Sequence, residues 1–301
     1  MISVKQNESR QLERLAAQRN LYAIAKRILV VQIILSGPVA VASALISRAF
    51  PSWEATVALW GFLILFADVL WLEPWLDRRR RDAARIQEAF DCDVLELRWN
   101  DIKAGSRPDP ELIKEQSDCY NSRAHRMPTL RDWYPTEAAA LPIYLARLVC
   151  QRANCSWDAR LRRRYASFVL AALVIVIVLI LVLSFEHNYR LQDFLLKVLA
   201  PLAPALGLAY RQFTEQSETA TRQEELKAHC ASVWESALSG DDQQVISERS
   251  RHLQDEIFDS RQESPLVFDF VFALLRQSYQ GQMDYSASEM VSEARRRMPG
   301  A

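Results

Sequence analysis

Asp68 is the one charged residue in residues 55–72, a stretch whose only other polar side chain is Thr56. On helical rise it lies within roughly 5 Å of the middle of a membrane-length helix. An ionisable group at that depth is costly, and it marks either the lining of a water-filled path or a hydrogen-bonded packing contact. As pore lining, Asp68 favours cations; as a packing contact, it reaches for Gln32 or Ser36 of the preceding apolar stretch. Gln32, Ser36 and Ser43 recur at offsets of 4 and 7, so they share one helix face, either wet or acting as polar glue between helices. Glu73 follows as a charge for a pore mouth or as a partner for the arginines at 78–81. These five residues form the candidate pore lining.

A second set suits an anionic ligand. Residues 123–134 hold Arg123, His125, Arg126, Arg131, Trp133 and Tyr134. Guanidinium groups match phosphate oxygens, and aromatic rings stack on bases. Arg123, Arg126, Arg131, Trp133 and Tyr134 are therefore the candidate nucleotide-binding residues; the competing reading is a surface loop anchored into a core by Trp133 and Tyr134. The arginine clusters at 78–81 and within 160–164 serve first as topology determinants and contacts to anionic lipid. Catalytic chemistry finds no constellation. There is no P-loop, GxSxG or HExxH motif, and His125, His187, His229 and His252 are scattered. Cys150 and Cys155 lack a neighbouring histidine, so no metal, no cofactor and no enzymatic activity are expected.

The elements that must carry these residues are mostly membrane helices, although the averages hide them. The 301 residues balance 37 basic against 37 acidic side chains, and the mean hydropathy is only −0.10. Yet residues 168–185 carry no charge, and with two residues ahead of them they reach the roughly 20 needed to span a bilayer. Residues 28–46 and 55–72 are second and third candidates, the latter flanked by Trp53 and Trp75 as interfacial anchors. Residues 191–210 are a fourth, bearing Asp193 and Lys197 early and kinked by Pro201 and Pro204. Basic residues cluster beside one end of each span, with six Lys/Arg against two acids in residues 1–27. The positive-inside rule then places both termini and the central segment in the cytoplasm. No cleavable signal peptide is expected, because polar residues precede the first apolar run.

The expected fold is an all-α membrane protein with four transmembrane helices in two hairpins and a mostly helical cytoplasmic domain. Its parts are an N-terminal helix (1–27), a first hairpin (28–76), a sensor segment (77–165), a second hairpin (166–210) and a C-terminal helical segment (211–301). Residues 93–99 alternate apolar and polar and are the one expected strand; residues 154–156 are expected to break the helix leading into the third span. The net charge is +4 for residues 1–27, +4 for 77–164 and −6 for 211–301. Opposite signs predict that the basic and acidic cytoplasmic parts pack together.

Residues 90–100 (FDCDVLELRWN), the motif Asp132-Trp133-Tyr134-Pro135 and residues 150–165 (CQRANCSWDARLRRRY) resemble the four-transmembrane (S-4TM) pore-forming effectors associated with bacterial nucleotide second-messenger synthetases. The resemblance covers nearly the whole chain, including span order and loop lengths. It implies an antiphage, abortive-infection role. A partner synthetase senses infection, a cyclic oligonucleotide controls the effector, and the inner membrane is breached. Membrane lipid and further copies of the chain are the other expected partners, with no nucleic acid polymer. The alternatives are a constitutive transporter or scaffold, and further off a membrane-bound enzyme. The paired, broken, symmetry-related helices of many transporters are absent from the sequence pattern.

Overall fold

The computed structural model describes residues 2–122, 130–186, 190–195 and 199–298. With 7 glycines and 12 prolines in 301 residues, little interrupts helix formation, and the helices are long. Helix α1 (Ser9–Ile34) passes from the polar N-terminal residues into the first apolar stretch without a break. A π turn (Leu35–Val39) hands it to α2 (Ala40–Ala49). After a single 3-10 turn the chain returns as α3 (Glu54–Ala67), a second π turn (Asp68–Leu72) and α4 (Glu73–Val94). The pair α1 and α4 is antiparallel, since Arg14 bonds to Asp93 at one end and Gln32 to Glu73 at the other. Helix α5 (Pro110–Ser122) packs on α1. Asp109 starts it by accepting the Glu111 N–H at 3.1 Å, and Pro110 occupies a first-turn position that needs no donor.

Helix α6 (Ile143–Glu186) runs 44 residues, or roughly 66 Å. Its main partner is α7 (Ala200–Leu238). They are antiparallel, because Cys230 meets the Leu148 carbonyl while Gln216 meets Arg162. Gly240, at φ 93°, ends α7 in a left-handed turn that lets Asp241 N–H return to the Ser236 carbonyl. Helices α8 (Gln243–Glu263) and α9 (Asp269–Arg297) complete the polar half of the molecule. The main core lies there: Leu15 of α1, Phe90 of α4, Leu145 and Leu148 of α6, Val233 of α7, Leu253 of α8, and Met290 and Val291 of α9 are buried together with Leu130 and Tyr134.

Three stretches, Ser9–Ser43, Ala55–Val94 and Ile143–Val182, are long and apolar enough to cross a membrane. Among the described residues the fourth expected span is present only as a one-turn helix, Leu191–Phe194, and the start of α7. Among the described residues three stretches, rather than a clear four, are therefore long and apolar enough. The apolar side chains of the second and third stretches face outward, with Trp60 60% and Trp71 67% exposed. That is the arrangement expected where lipid or another copy covers them.

Two local expectations are corrected. No strand occurs among the described residues. At residues 93–99 the alternation reflects the end of α4: Glu96 turns left-handed at φ 55°, and Leu97 N–H returns to the Cys92 carbonyl at 2.9 Å. Val94, Leu95 and Leu97 are buried by that turn, so the period of two arises without a sheet. Nor does α6 break at 154–156. Neither proline nor glycine is present, Cys155 is buried, and Asn154 and Ser156 spend their side chains on Tyr134 and Arg160.

Candidate functional site

The five candidate pore residues divide. Gln32, on α1, donates from Nε2 to Asp68 Oδ1 at 2.9 Å and to Glu73 Oε2 at 2.8 Å. One amide thus ties two carboxylates across two apolar helices. The second π turn explains how both reach it. Residues five apart on an α-helix point roughly 140° away from each other, but Glu73 N–H bonds to the Asp68 carbonyl, the i to i+5 bond that brings them toward one face. Ser36 donates to the Gln32 carbonyl at 2.7 Å. Ser36 lies in the first π turn, which also contains Pro38. A proline ring in a regular helix collides with the carbonyl four residues back, and the wider turn makes room for it. Gly37 is buried in that turn, and a side chain there would meet Ala205 of α7. Ser43 lies on α2, half-buried, and no hydrogen bond joins it to the cluster. Glu73 takes Gln32, while among the nearby arginines Arg80 pairs with Asp77 at 2.7 Å.

The candidate nucleotide residues also divide. Arg123 and Arg126, with His125, lie outside the described residues. Arg131 is exposed. Trp133 is half-buried, edge-on to Phe90 at 6.3 Å, with the Arg19 guanidinium 5.7 Å above its ring. Tyr134 is 1% exposed and stacks on Phe90 at 6.0 Å. Its hydroxyl donates to Asp91 at 2.6 Å and accepts from Asn154 at 3.0 Å. Gln6 pairs with both its backbone groups, and Asn7 holds Asp132, whose φ is 51°. The Asp-Trp-Tyr-Pro segment thus pins the N-terminal residues to the core. Tyr134 turns inward, and Trp133 keeps one side toward solvent.

Sequence reasoning missed a buried ionic junction beside Tyr134. Asp91, 0% exposed, accepts from Tyr134, from Gln254 at 2.9 Å and from Arg261. Glu88 accepts from Arg251 at 2.8 Å, from the Cys92 thiol and from the same Gln254 at 2.8 Å. Burial, and then the Asp91 charge, push the Glu88 carboxyl above its ordinary range, while Arg251 and Arg261 oppose that shift. Burial works against the Arg261 charge, but Asp91 outweighs it and holds the guanidinium firmly protonated. The junction fastens α4 to α8, so the central and C-terminal segments do pack together. The charges at this contact are the reverse of the segment averages: acids come from the basic segment and arginines from the acidic one. Glu88 and Asp91, spaced i and i+3 between apolar neighbours, were the available signal.

Four of the five thiols are enclosed, and Cys119 on α5 is half-buried. Cys92, Cys150, Cys155 and Cys230 are buried and unpaired. Burial pushes the Cys230 thiol up to about 12 and raises the other three as well. Among the described residues no His, Cys, Asp and Glu group is arranged to hold a metal ion.

Apolar helices long enough to span a membrane continue into a packed polar layer, and two carboxylates near the end of the second apolar run are tied to the first, which is the build of a helical protein able to cross a bilayer. The model of the SMODS-associating 4TM effector domain family matches residues 1–290, and the chain belongs to that family. It is also similar to a probable CBASS effector molecule of Bacillus cereus (strain VD146), 23% identical over 280 residues that cover 91% of this chain and 92% of the relative. No solved structure matches the chain.

Proposed function

We propose that this protein is the membrane effector of an antiphage defence system. A cyclic oligonucleotide made by a partner synthetase acts on the cytoplasmic helical layer, and the spans, assembled from several copies, then breach the inner membrane and abort infection. Family membership and the relative's name support the defence role. The observation that carries the mechanism is the bond from Gln32 to Asp68 and Glu73. Half-buried Asp68 and exposed Glu73, at the end of an apolar run, are held by a single neutral amide, a latch whose opening frees both. Negative groups at that point favour cations. Few spans per chain, with their apolar faces outward, leave no room for a conduit inside one copy, so the lesion is oligomeric. Both termini lie in the cytoplasm in this reading, and no step requires an enzyme.

Expression in bacteria with and without a cognate synthetase tests the proposal, with a membrane-potential dye as the readout. Depolarisation that requires both the synthetase and this chain is expected. A constitutively polarised membrane under co-expression, with the protein present in the membrane fraction, would falsify the effector reading.

A further inference from the structure

The N-terminal end of α1 borders an open cleft of about 670 Å³, lined by Arg10, Glu13, Arg14, Arg107, Asp109 and Lys114 among others. Its size lies mid-range for small-molecule sites, roughly 300–1,000 Å³. Arg14 is the central feature. It is 3% exposed, and its Nη1 donates to the Ala89 carbonyl at 2.8 Å and to Asp93 at 2.7 Å, yet its Nε, also buried, has no partner. A buried guanidinium N–H left without an acceptor is costly and calls for one. Asp93 is shared, since its Oδ2 accepts from Arg14 Nη1 and its Oδ1 from Arg107 at 3.2 Å, and neither bond involves the Arg14 Nε. The indole of Trp99 lies under Arg107 at 5.2 Å and braces it. Arg10 is exposed and has no ion pair or hydrogen bond in the described structure.

The walls also bear two carboxylates, and these limit what fits. Asp109 is occupied by the backbone at the start of α5. Glu13 is half-buried in the lining, and Lys114 pairs with Asp118 at 2.8 Å, an exposed pair that a ligand anion can replace. The excess is cationic but modest, which suits an acceptor-rich ligand of low charge better than a polyanion. Planar guanidinium forks match the paired oxygens of a phosphodiester, and the N-terminal end of the 13-residue α5 adds a favourable dipole. A lipid headgroup is the wrong source. Arg14 lies roughly 21 Å of helix away from Ile28, where the apolar stretch begins.

We propose that this cleft is the nucleotide site, with Arg10, Arg14, Arg107 and Lys114 engaging the phosphodiester backbone of a soluble cyclic oligonucleotide. The inference rests on the nucleotide control proposed above and deepens it. It also moves the site from the Arg131–Trp133 surface to the α1–α4–α5 junction. Both helices that form the cleft continue to the latch: α1 carries Arg14 and Gln32, and α4 carries Asp93 at its far end and Glu73 at its start. A ligand that draws on Arg14 competes with Asp93 for it, and so acts on the same antiparallel pair that holds the carboxylates.

The test is titration calorimetry on the full chain in phosphatidylcholine nanodiscs, where no anionic headgroup competes. The probe is a pooled set of cyclic di- and trinucleotides of adenylate, guanylate, cytidylate and uridylate, resolved into single members once heat is seen. Arg10→Gln and Lys114→Gln, both at exposed positions, are expected to weaken binding roughly tenfold each, with Arg10→Lys recovering part of the loss. Arg131→Gln and Trp133→Ala should bind as the unaltered chain does. Equal affinity in Arg10→Gln, Arg107→Gln and Lys114→Gln, with binding intact in the unaltered chain, would overturn the site and leave nucleotide control standing. No binding of any member by the unaltered, folded chain would overturn both.

Discussion

Tyr134 shows how far one residue's chemistry could be read in advance. Its type and its neighbours suited a stacked base, but the ring is buried and the hydroxyl serves Asp91 and Asn154. Tyr134→Phe removes a donor to a buried carboxylate, a loss of about 1.5–3 kcal/mol. A lower midpoint in guanidinium denaturation in detergent, with nucleotide affinity unchanged, is the expected result. Asp93 gives a pH dependence of definite sign. Burial works against its charge, but Arg14 and Arg107 outweigh burial and hold the carboxyl below its ordinary value of 3.8. A folded-state pKa below the unfolded one contributes stability above the unfolded pKa and loses it as pH falls through the folded one. Asp93→Asn should therefore lower Tm at pH 7, and the gap to the unaltered chain should close in acid below the ordinary value. A gap that persists there would show that the side chain matters only by shape. Asp68 and Gln32 were legible as possible partners because polar residues in apolar runs are few. The Glu88–Arg251 and Asp91–Arg261 pairs were not, since partners more than 150 residues apart leave no local pattern.

Helix identity and extent followed from apolar runs and stop signals, and these succeed where the signal is local. Asp109-Pro110 and Gly240 mark real ends. The alternation at 93–99 misled because a helix terminus that buries Val94, Leu95 and Leu97 has the same period as a strand. The expected break at 154–156 rested on polar residues that in fact find partners along or beside the helix. The two π turns had only one visible cue, Pro38, and nothing in residues 68–72 announces the second. They are placed to matter, one beside each end of the latch. Pro38→Ala removes the ring that the first turn accommodates. A regular helix there should be the more stable form, by up to about 3 kcal/mol, and the straightened span should resist opening. Raised thermal stability with slower depolarisation on co-expression with a synthetase is the predicted pair of results; unchanged depolarisation would remove the turn from the mechanism.

At the scale of the whole molecule, the neutral total charge and near-zero hydropathy conceal two halves. One is an apolar set of helices with outward-facing side chains, and the other a polar layer locked by buried ion pairs. Breaking such a pair by removing one partner costs about 3–5 kcal/mol, so the layer moves as a unit and the α1–α4 pair is the natural transmission to the membrane. In the proposed mechanism, nucleotide binding to this layer opens a cation path past Asp68. Flux from liposomes reconstituted with the purified chain measures it without other cellular components. Potassium release on addition of the cyclic oligonucleotide that binds is expected, with loss of cation preference in Asp68→Asn while the protein stays inserted. Liposomes that stay sealed while the nucleotide demonstrably binds, or release of equal selectivity from Asp68→Asn, would contradict it.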